Sequence, residues 1–212
     1  MNGRLITLEG GEGAGKSTVL AAVRAQLEAA GRRVVVTREP GGTTAGEAIR
    51  HILLDPAYQG LFPETELLLM FAARAQLVRE CIRPALDRGD WVLSDRFVDA
   101  SFAYQGGGRG QPASRIADLE RWVLDGLRPD LTLLLDLPVE QGMARAAARQ
   151  GSADRIEQES LGFFDRVRLA YRERAAADPG RFRVIDASRD LDTVLDQVRA
   201  AVDSFLAAET VS

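Results

Sequence analysis

The sequence has few of the residues that metal and redox sites use. Its 212 residues include one cysteine, Cys81, and one histidine, His51. A single cysteine forms neither an intramolecular disulfide nor a thiolate metal cluster, and a single histidine makes zinc sites and histidine-based triads poor candidates. The net charge of -4 gives no reason to expect binding to nucleic acid or to a membrane surface.

Long apolar segments are also missing. The longest candidate, 131–137, has the length of a strand and falls well short of the roughly 18 residues of a membrane span. The first nine residues are too short for the apolar region of a signal peptide and lead directly into a glycine-rich loop. We therefore expect a cytoplasmic protein, with residues 1–212 forming a single domain.

That glycine-rich loop matches a phosphate-binding motif. Residues 10–17, GGEGAGKS, fit the pattern G-x-x-x-x-G-K-[ST], and Lys16 is the only lysine among the 27 Lys and Arg residues. The lysine of this motif contacts phosphate oxygens, the loop N–H groups surround the anion, and Ser17 is a candidate Mg²⁺ ligand. The residues expected to bind a nucleoside triphosphate are Gly10, Gly11, Glu12, Gly13, Ala14, Gly15, Lys16, Ser17 and Thr18.

Short apolar segments alternate with helical patterns along the chain. The predicted strands are 5–8, 34–37, 91–94, 131–137 and 182–185. The predicted helices are 16–30, 45–54, 64–88, 99–105, 113–126, 139–150, 158–177 and 191–207. This alternation predicts an α/β fold of the P-loop NTPase type, with three layers: a five-stranded parallel sheet with helices on both faces. Ligands of such sheets bind beyond the carboxyl ends of the strands.

The class of P-loop protein follows partly from what the chain cannot contain. A GTPase would carry an Asn-Lys-x-Asp motif, but Asn2 is the only asparagine and Lys16 the only lysine. The length is too short for a large ATPase motor and suits a small-molecule kinase. Asp95 and Arg96 follow the third strand, where the arginine could clamp an acceptor phosphate and the carboxylate could hold a Mg²⁺-bound water. A plain strand-end ion pair is the alternative.

Two further groups of residues are candidates for the site. Arg145, Arg149 and Arg155 flank a glycine-containing break and could close on the transferred phosphoryl group from a small lid at about 142–156, or could form a solvated charged face. Phe71 and Arg74 lie three residues apart on one predicted helix and could bind a nucleobase by stacking and hydrogen bonding. A phenylalanine in such an apolar run is more often part of the core.

Four stretches together resemble bacterial thymidylate kinase (dTMP kinase): LEGGEGAGKST at 8–18, TREPGGT at 37–43, DRFVDASFAYQG at 95–106 and DRIE at 154–157. The resemblance extends over about residues 5–198. It implies transfer of the γ-phosphoryl group of ATP to dTMP with Mg²⁺, giving ADP and dTDP in dTTP synthesis. It also implies a homodimer, and the subtype that has Glu in the P-loop and arginines in the lid.

The resemblance assigns roles to individual residues. Glu12 would lie near the 3′-hydroxyl of dTMP, Arg96 on its phosphate and Arg38 close by; Phe71 would stack on thymine and Arg74 would contact O4. Ser101 and Gln105 would face the base edge, and Tyr104 would lie under the sugar. The dTMP-binding residues implied are Glu12, Arg38, Pro40, Phe71, Arg74, Arg96, Ser101, Tyr104 and Gln105; the catalytic residues are Lys16, Arg96, Arg145, Arg149 and Arg155; the metal ligands are Ser17 and Asp95.

Two alternatives stay open at this point. One is a kinase for another nucleoside monophosphate or for a deoxynucleoside. The other is a nucleotide-binding regulatory protein that hydrolyses ATP slowly or not at all, although an acceptor-clamping arginine argues against it.

Overall fold

A five-stranded parallel sheet forms the centre of the protein in the computed structural model, which describes residues 3–148 and 153–211. The strands are β1 (Leu5–Gly10), β2 (Val34–Arg38), β3 (Trp91–Asp95), β4 (Leu131–Asp136) and β5 (Phe182–Asp186). They lie in the order β2-β3-β1-β4-β5, and every neighbouring pair is parallel. The predicted sheet is confirmed. Its central strand, β1, is buried along its whole length and leads into the phosphate-binding loop.

Helices cover both faces of the sheet. They are α1 (Lys16–Ala29), α2 (Thr44–Leu54), α3 (Pro63–Leu77), α4 (Arg83–Asp87), α5 (Val98–Ser101), α6 (Ala113–Leu124), α7 (Val139–Ala147), α8 (Leu161–Ala177) and α9 (Leu191–Val211). Adjacent residues of β1 point to opposite faces, so that Ile6 packs against α1 and α9 while Leu5 packs against α3 and α6. The three-layer prediction is confirmed. No helix in the described ranges is long and apolar enough to cross a bilayer.

Two of the predicted helices differ from the observed ones. The predicted helix 64–88 is divided into α3, a π-helical segment at Val78–Ile82, and α4. Pro84 lies in the first turn of α4, and it lacks the N–H group that an uninterrupted α-helix would use there. A shorter 3₁₀ turn, Pro56–Tyr58, precedes α3.

The prediction that the helix at 99–105 stops in the following glycines is wrong. After α5 the chain continues as a π-helical segment, Phe102–Gly108, through all three glycines. A Cβ on Gly107 would lie 2.7 Å from the carbonyl oxygen of Arg166, and one on Gly108 would lie 2.4 Å from the ring of Phe163. These two glycines therefore allow close packing against α8.

The other helix boundaries differ by a few residues. Helix α8 begins at Leu161 rather than at 158, because the Ser160 side chain accepts a hydrogen bond from the N–H of Phe163 and caps the helix. Helix α6 ends at Leu124, followed by Asp125 in the left-handed conformation, and α9 extends to Val211. The predicted end of the helix 139–150 lies outside the described residues.

Candidate active site

The phosphate-binding loop connects β1 to α1 at the carboxyl edge of the sheet. Gly15, with φ of +87°, turns the chain into α1. The Lys16 ammonium donates hydrogen bonds to the carbonyl oxygens of Gly10 at 3.2 Å and Gly11 at 3.0 Å, so it lies across the loop's own backbone. Burial, helped by the positive charge of Arg96, lowers the pKa of Lys16 to about 8. This environment favours an anion at the loop.

The loop packs tightly against α7. A Cβ on Gly13 would lie 2.0 Å from the carbonyl oxygen of Gly142, and a Cβ on Gly142 would lie 2.5 Å from the carbonyl oxygen of Glu12. Contacts this short leave no room for a methyl group on either side. The position of α7 therefore fixes the position of the phosphate-binding loop.

Arg96 has a strained backbone that three hydrogen bonds hold in place. Its φ of +67° is in the left-handed region, which non-glycine residues rarely occupy. The N–H of Arg96 donates to Leu8, the Ser94 hydroxyl donates to the carbonyl oxygen of Arg96 at 2.7 Å, and the N–H of Phe97 donates to Glu9 Oε1 at 2.8 Å. Local bonds on both sides of the residue thus determine where its side chain points.

The guanidinium of Arg96 reaches across to the phosphate-binding loop. Its Nη2 lies 2.7 Å from Glu12 Oε1 and 2.7 Å from the Tyr104 hydroxyl oxygen, and the Tyr104 hydroxyl donates to the same Glu12 oxygen at 2.9 Å. Asp95, the preceding residue, has a buried Oδ1 with no hydrogen-bond partner among the described residues. A cation and an unsatisfied carboxylate oxygen therefore stand beside the loop.

Glu9 is a buried carboxyl group behind Arg96. Burial, reinforced by the negative charge of Asp99, raises the pKa of Glu9 to about 8, although hydrogen bonds from Tyr171 and the Phe97 N–H act in the opposite direction. Its Oε2 lies 2.7 Å from the Tyr171 hydroxyl oxygen. Glu9 therefore links β1, the backbone after Arg96 and α8.

The phosphate-binding loop and the segment after β3 line a cleft of about 670 Å³. The sequence-predicted residues that line it are Glu12, Gly13, Ala14, Gly15, Lys16, Ser17, Thr18, Arg38, Pro40, Asp95, Arg96, Tyr104, Gln105, Arg145 and Arg155. Gly10 and Gly11 belong to the same loop but do not line this cleft. The structure thus brings the loop and the segment after β3 into one cavity, as expected for residues at the carboxyl ends of neighbouring parallel strands.

Phe71, Arg74 and Ser101 are not among the residues that line the cleft. Phe71 is 2% exposed, and the Arg74 guanidinium carbon lies 4.5 Å from the centre of its ring. Arg74 donates to Glu39 Oε2 at 2.8 Å, to Ser101 Oγ at 3.0 Å and to the carbonyl oxygen of Phe97. The three residues form a buried layer together, and their contact with a base stays a prediction.

The arginines of the predicted lid have separate partners. Arg145 is exposed and donates to the carbonyl oxygen of Ala187 at 2.9 Å. Arg155 is 6% exposed and donates to the carbonyl oxygen of Leu53 at 2.7 Å and to Glu66 Oε2 at 2.6 Å. Arg149 lies outside the described residues. Arg38, also expected near phosphate, pairs with Glu47 at 3.0 Å.

Sequence reasoning missed Glu66, Met70 and Arg50, which all line the cleft. Glu66 is 1% exposed, and it lies four residues before Met70 and eight before Arg74, on the buried face of α3. A carboxylate in phase with buried apolar residues is a signal that could have found it. Arg50 donates to the carbonyl oxygen of Pro40 at 2.9 Å, a contact that no local pattern predicts.

The fold and the cleft define a P-loop protein in which Arg96 and Arg145 line the same cleft as the phosphate-binding loop. The model of the family described as thymidylate kinase matches residues 8–198, and the chain belongs to this family. Proteins named thymidylate kinase share 55% identity with it in Alcanivorax borkumensis and 58% in Chromohalobacter salexigens. The first alignment covers 98% of this chain and 99% of the relative, and the second covers 97% and 98%.

Proposed function

We propose that this protein transfers the γ-phosphoryl group of ATP to dTMP, giving ADP and dTDP. The observation that carries the proposal is the contact between Arg96 and the phosphate-binding loop, with 2.7 Å between Arg96 Nη2 and Glu12 Oε1. An arginine this close to the loop can hold the phosphate of an acceptor next to the γ-phosphate of a bound nucleotide. Family membership and the names of the relatives specify the acceptor.

Catalysis in this proposal consists of alignment and charge neutralisation. The acceptor phosphate already carries the attacking oxygen in ionised form near neutral pH, so the reaction needs no strong general base. Lys16 holds the β- and γ-phosphates, and Arg96 exchanges part of its contact with Glu12 for the acceptor phosphate. Glu12 then turns part of its carboxylate to the acceptor's 3′-hydroxyl, as the family resemblance implies.

Mg²⁺ fits the residues beside the loop. The Asp95 Oδ1 atom is buried and lacks a hydrogen-bond partner among the described residues, and carboxylate oxygen is a ligand that Mg²⁺ accepts directly or through water. The Ser17 side chain is exposed at the start of α1, where this motif supplies a hydroxyl ligand. The cation would neutralise charge on the β- and γ-phosphates.

The acceptor's base belongs, in this proposal, at the end of the cleft formed by α3 and the π-helical segment Phe102–Gly108. Phe71 stacks on thymine after Arg74 moves toward O4, Ser101 and Gln105 face the base edge, and Tyr104 supports the sugar. Pro40 and Arg38 approach from the turn after β2. Gln105 and Tyr104 already line the cleft.

We assign the chain to the subtype with Glu12 in the phosphate-binding loop and the catalytic arginine in a lid at about 142–156, within a single domain. Arg145 and Arg155 both line the cleft. Within the part of the chain that the structure describes, Arg145 has the more replaceable partner, one carbonyl oxygen, whereas Arg155 is tied to the buried Glu66. Arg145 is therefore the described lid arginine with the greater freedom to reach the transferred phosphoryl group.

We also propose a homodimer formed through the outer face of α2 and α3. Leu68 on α3 is 58% exposed, and Phe62, the residue before α3 begins, is 74% exposed. Light scattering should give twice the mass of the chain, and Leu68→Glu should reduce it to the single-chain mass. Leu169→Glu, at an equally exposed position on α8, should leave the mass unchanged.

The function is tested by measuring ADP release from ATP with and without an acceptor. dTMP should stimulate release strongly, and dTDP should form in equal amount. A panel of dTMP, dUMP, AMP, GMP, CMP and thymidine distinguishes kinases of other nucleotides, since a preference for any acceptor but dTMP would overturn the substrate assignment. No stimulation by any of them would favour a regulatory nucleotide-binding protein.

A further inference from the structure

The side-chain amide of Gln105 is only half satisfied. Gln105 lies in the π-helical segment Phe102–Gly108, lines the cleft and is 3% exposed. Its Nε2 donates to Glu66 Oε1 at 3.0 Å. Its Oε1 is buried and has no hydrogen-bond partner among the residues that the structure describes. A buried acceptor without a partner is costly, and an N–H group on a bound molecule would remove that cost.

Glu66 determines which end of the amide stays unsatisfied. Its carboxylate receives three side chains: Gln105, Arg109, whose Nε lies 3.2 Å from each oxygen, and Arg155, whose Nη2 lies 2.6 Å from Oε2. Burial raises the pKa of Glu66, but the Gln105 hydrogen bond and the Arg109 charge outweigh it and the pKa lies below its usual range. An ionised carboxylate only accepts, so Gln105 must turn its nitrogen toward Glu66.

We propose that Glu66 is a positioning residue for base specificity: it holds Gln105 with the amide oxygen available to the acceptor's base. A base that offers a ring N–H there, as thymine and uracil do at N3, satisfies this oxygen. Cytosine has a bare N3 acceptor at the same place and is rejected. This inference rests on the proposed function, because it concerns the acceptor of the same reaction.

The variant Glu66→Gln tests the inference because its own amide has only one favourable orientation. Arg155 Nη2 requires an oxygen at the position of Oε2, so the new NH₂ group must occupy the position of Oε1. That NH₂ donates to Gln105 Oε1, and Gln105 must turn its own NH₂ toward the cleft. The site then offers a donor where it had offered an acceptor.

The measurement is the ratio of kcat/KM for dTMP to kcat/KM for dCMP. Reversing one buried hydrogen-bonding pair should lower this ratio about tenfold or more in Glu66→Gln. The ratio of dTMP to dUMP should not change, because both bases carry the N3 proton. A purely structural role for Glu66 would lower all three activities together and leave both ratios as in the wild type.

Two further variants complete the test. Glu159→Gln neutralises another carboxylate that contacts Arg109 and leaves the contact between Glu66 and Gln105 in place, so its dTMP to dCMP ratio should equal that of the wild type. Gln105→Met removes both polar atoms and should also lower the ratio, so it tests the role of the Gln105 amide, on which the inference depends, if Glu66→Gln fails to fold. An unchanged ratio in folded Glu66→Gln or in Gln105→Met overturns the inference. A wild-type protein inactive on dTMP overturns the proposed function instead.

Discussion

The two halves of the cleft are built from different parts of the chain. The phosphate-binding loop consists largely of backbone between β1 and α1, held by a glycine contact to α7. The acceptor half consists of side chains whose partners are distant in sequence: Arg96 and Glu12 are 84 residues apart, and Gln105 and Glu66 are 39 apart. Removing one member of such a pair leaves its buried partner unsatisfied, whereas backbone groups persist through most substitutions. The acceptor half should therefore be the more sensitive to single mutations.

Arg96→Ala should have the largest effect. It removes the acceptor clamp and the guanidinium that contacts Glu12. We expect the loss of transition-state stabilisation for dTMP, calculated from kcat/KM, to be about 3 kcal/mol or more. Arg24→Ala, which removes an exposed arginine on α1, should have no measurable effect on kcat/KM. A value for Arg96→Ala within about threefold of the wild type, roughly 0.65 kcal/mol, would contradict the assigned role.

Glu9→Gln should have the next largest effect, and the effect should be on stability. Glu9 connects β1, which leads into the phosphate-binding loop, with the backbone after Arg96 and with α8. The pKa of Glu9 is about 8 in the folded protein against an ordinary 4.5. Between these values the folded state binds the proton more tightly than the unfolded state, so the wild type loses stability as the pH rises through this window. Gln does not titrate. The free energy of unfolding of Glu9→Gln relative to the wild type should rise by roughly 2 to 4 kcal/mol between pH 5 and pH 8.5.

Denaturant unfolding at several pH values measures this difference. Glu28→Gln, at an exposed position on α1, should show the wild-type dependence. Parallel curves for the wild type and Glu9→Gln would mean that the Glu9 carboxyl is ionised in the folded protein, and the link between β1 and the Arg96 backbone would then be an ordinary carboxylate contact.

The contrast between a loop built from local backbone and an acceptor half built from distant side chains also explains how much the sequence could predict. Local patterns predict the five strands, the polar residues that follow them and the phosphate-binding loop with Lys16. The predicted fold is confirmed. The π-helical segments were missed because they are only five and seven residues long and continue directly from α-helices, so neither is long enough to show a period of its own. Glu66 was missed because its partners Gln105 and Arg155 are 39 and 89 residues away, a pairing that only tertiary structure brings about.

Phe71 and Arg74 illustrate the intermediate case. Their spacing predicted a shared helix face, and they do share the buried face of α3. Spacing says nothing of Glu39 and Ser101, which hold the Arg74 guanidinium away from the cleft. Local pattern thus identified the side chains, and distant partners determine where they point before an acceptor binds.

Gly142→Ala should have the smallest effect, and it tests whether the backbone half is as tolerant as the comparison suggests. Inside a helix, alanine is favoured over glycine by roughly 1 kcal/mol, so propensity alone predicts a more stable protein. The new methyl group would lie 2.5 Å from the carbonyl oxygen of Glu12, which has to move. We expect the contact to outweigh propensity, with a net loss of about 1 kcal/mol in stability and a higher KM for ATP.

Gly162→Ala is the matched control, because it lies in the first turn of α8 and its methyl group would meet only the end of the Arg166 side chain, at 3.9 Å. It should be neutral or stabilising and should not change the KM for ATP. If Gly142→Ala is equally harmless in thermal unfolding and in kinetics, α7 can move away from the phosphate-binding loop without cost. The position of the loop would then depend on its own glycines and on β1, and the phosphate-binding half of the cleft would tolerate substitutions in α7 even better than the comparison suggests.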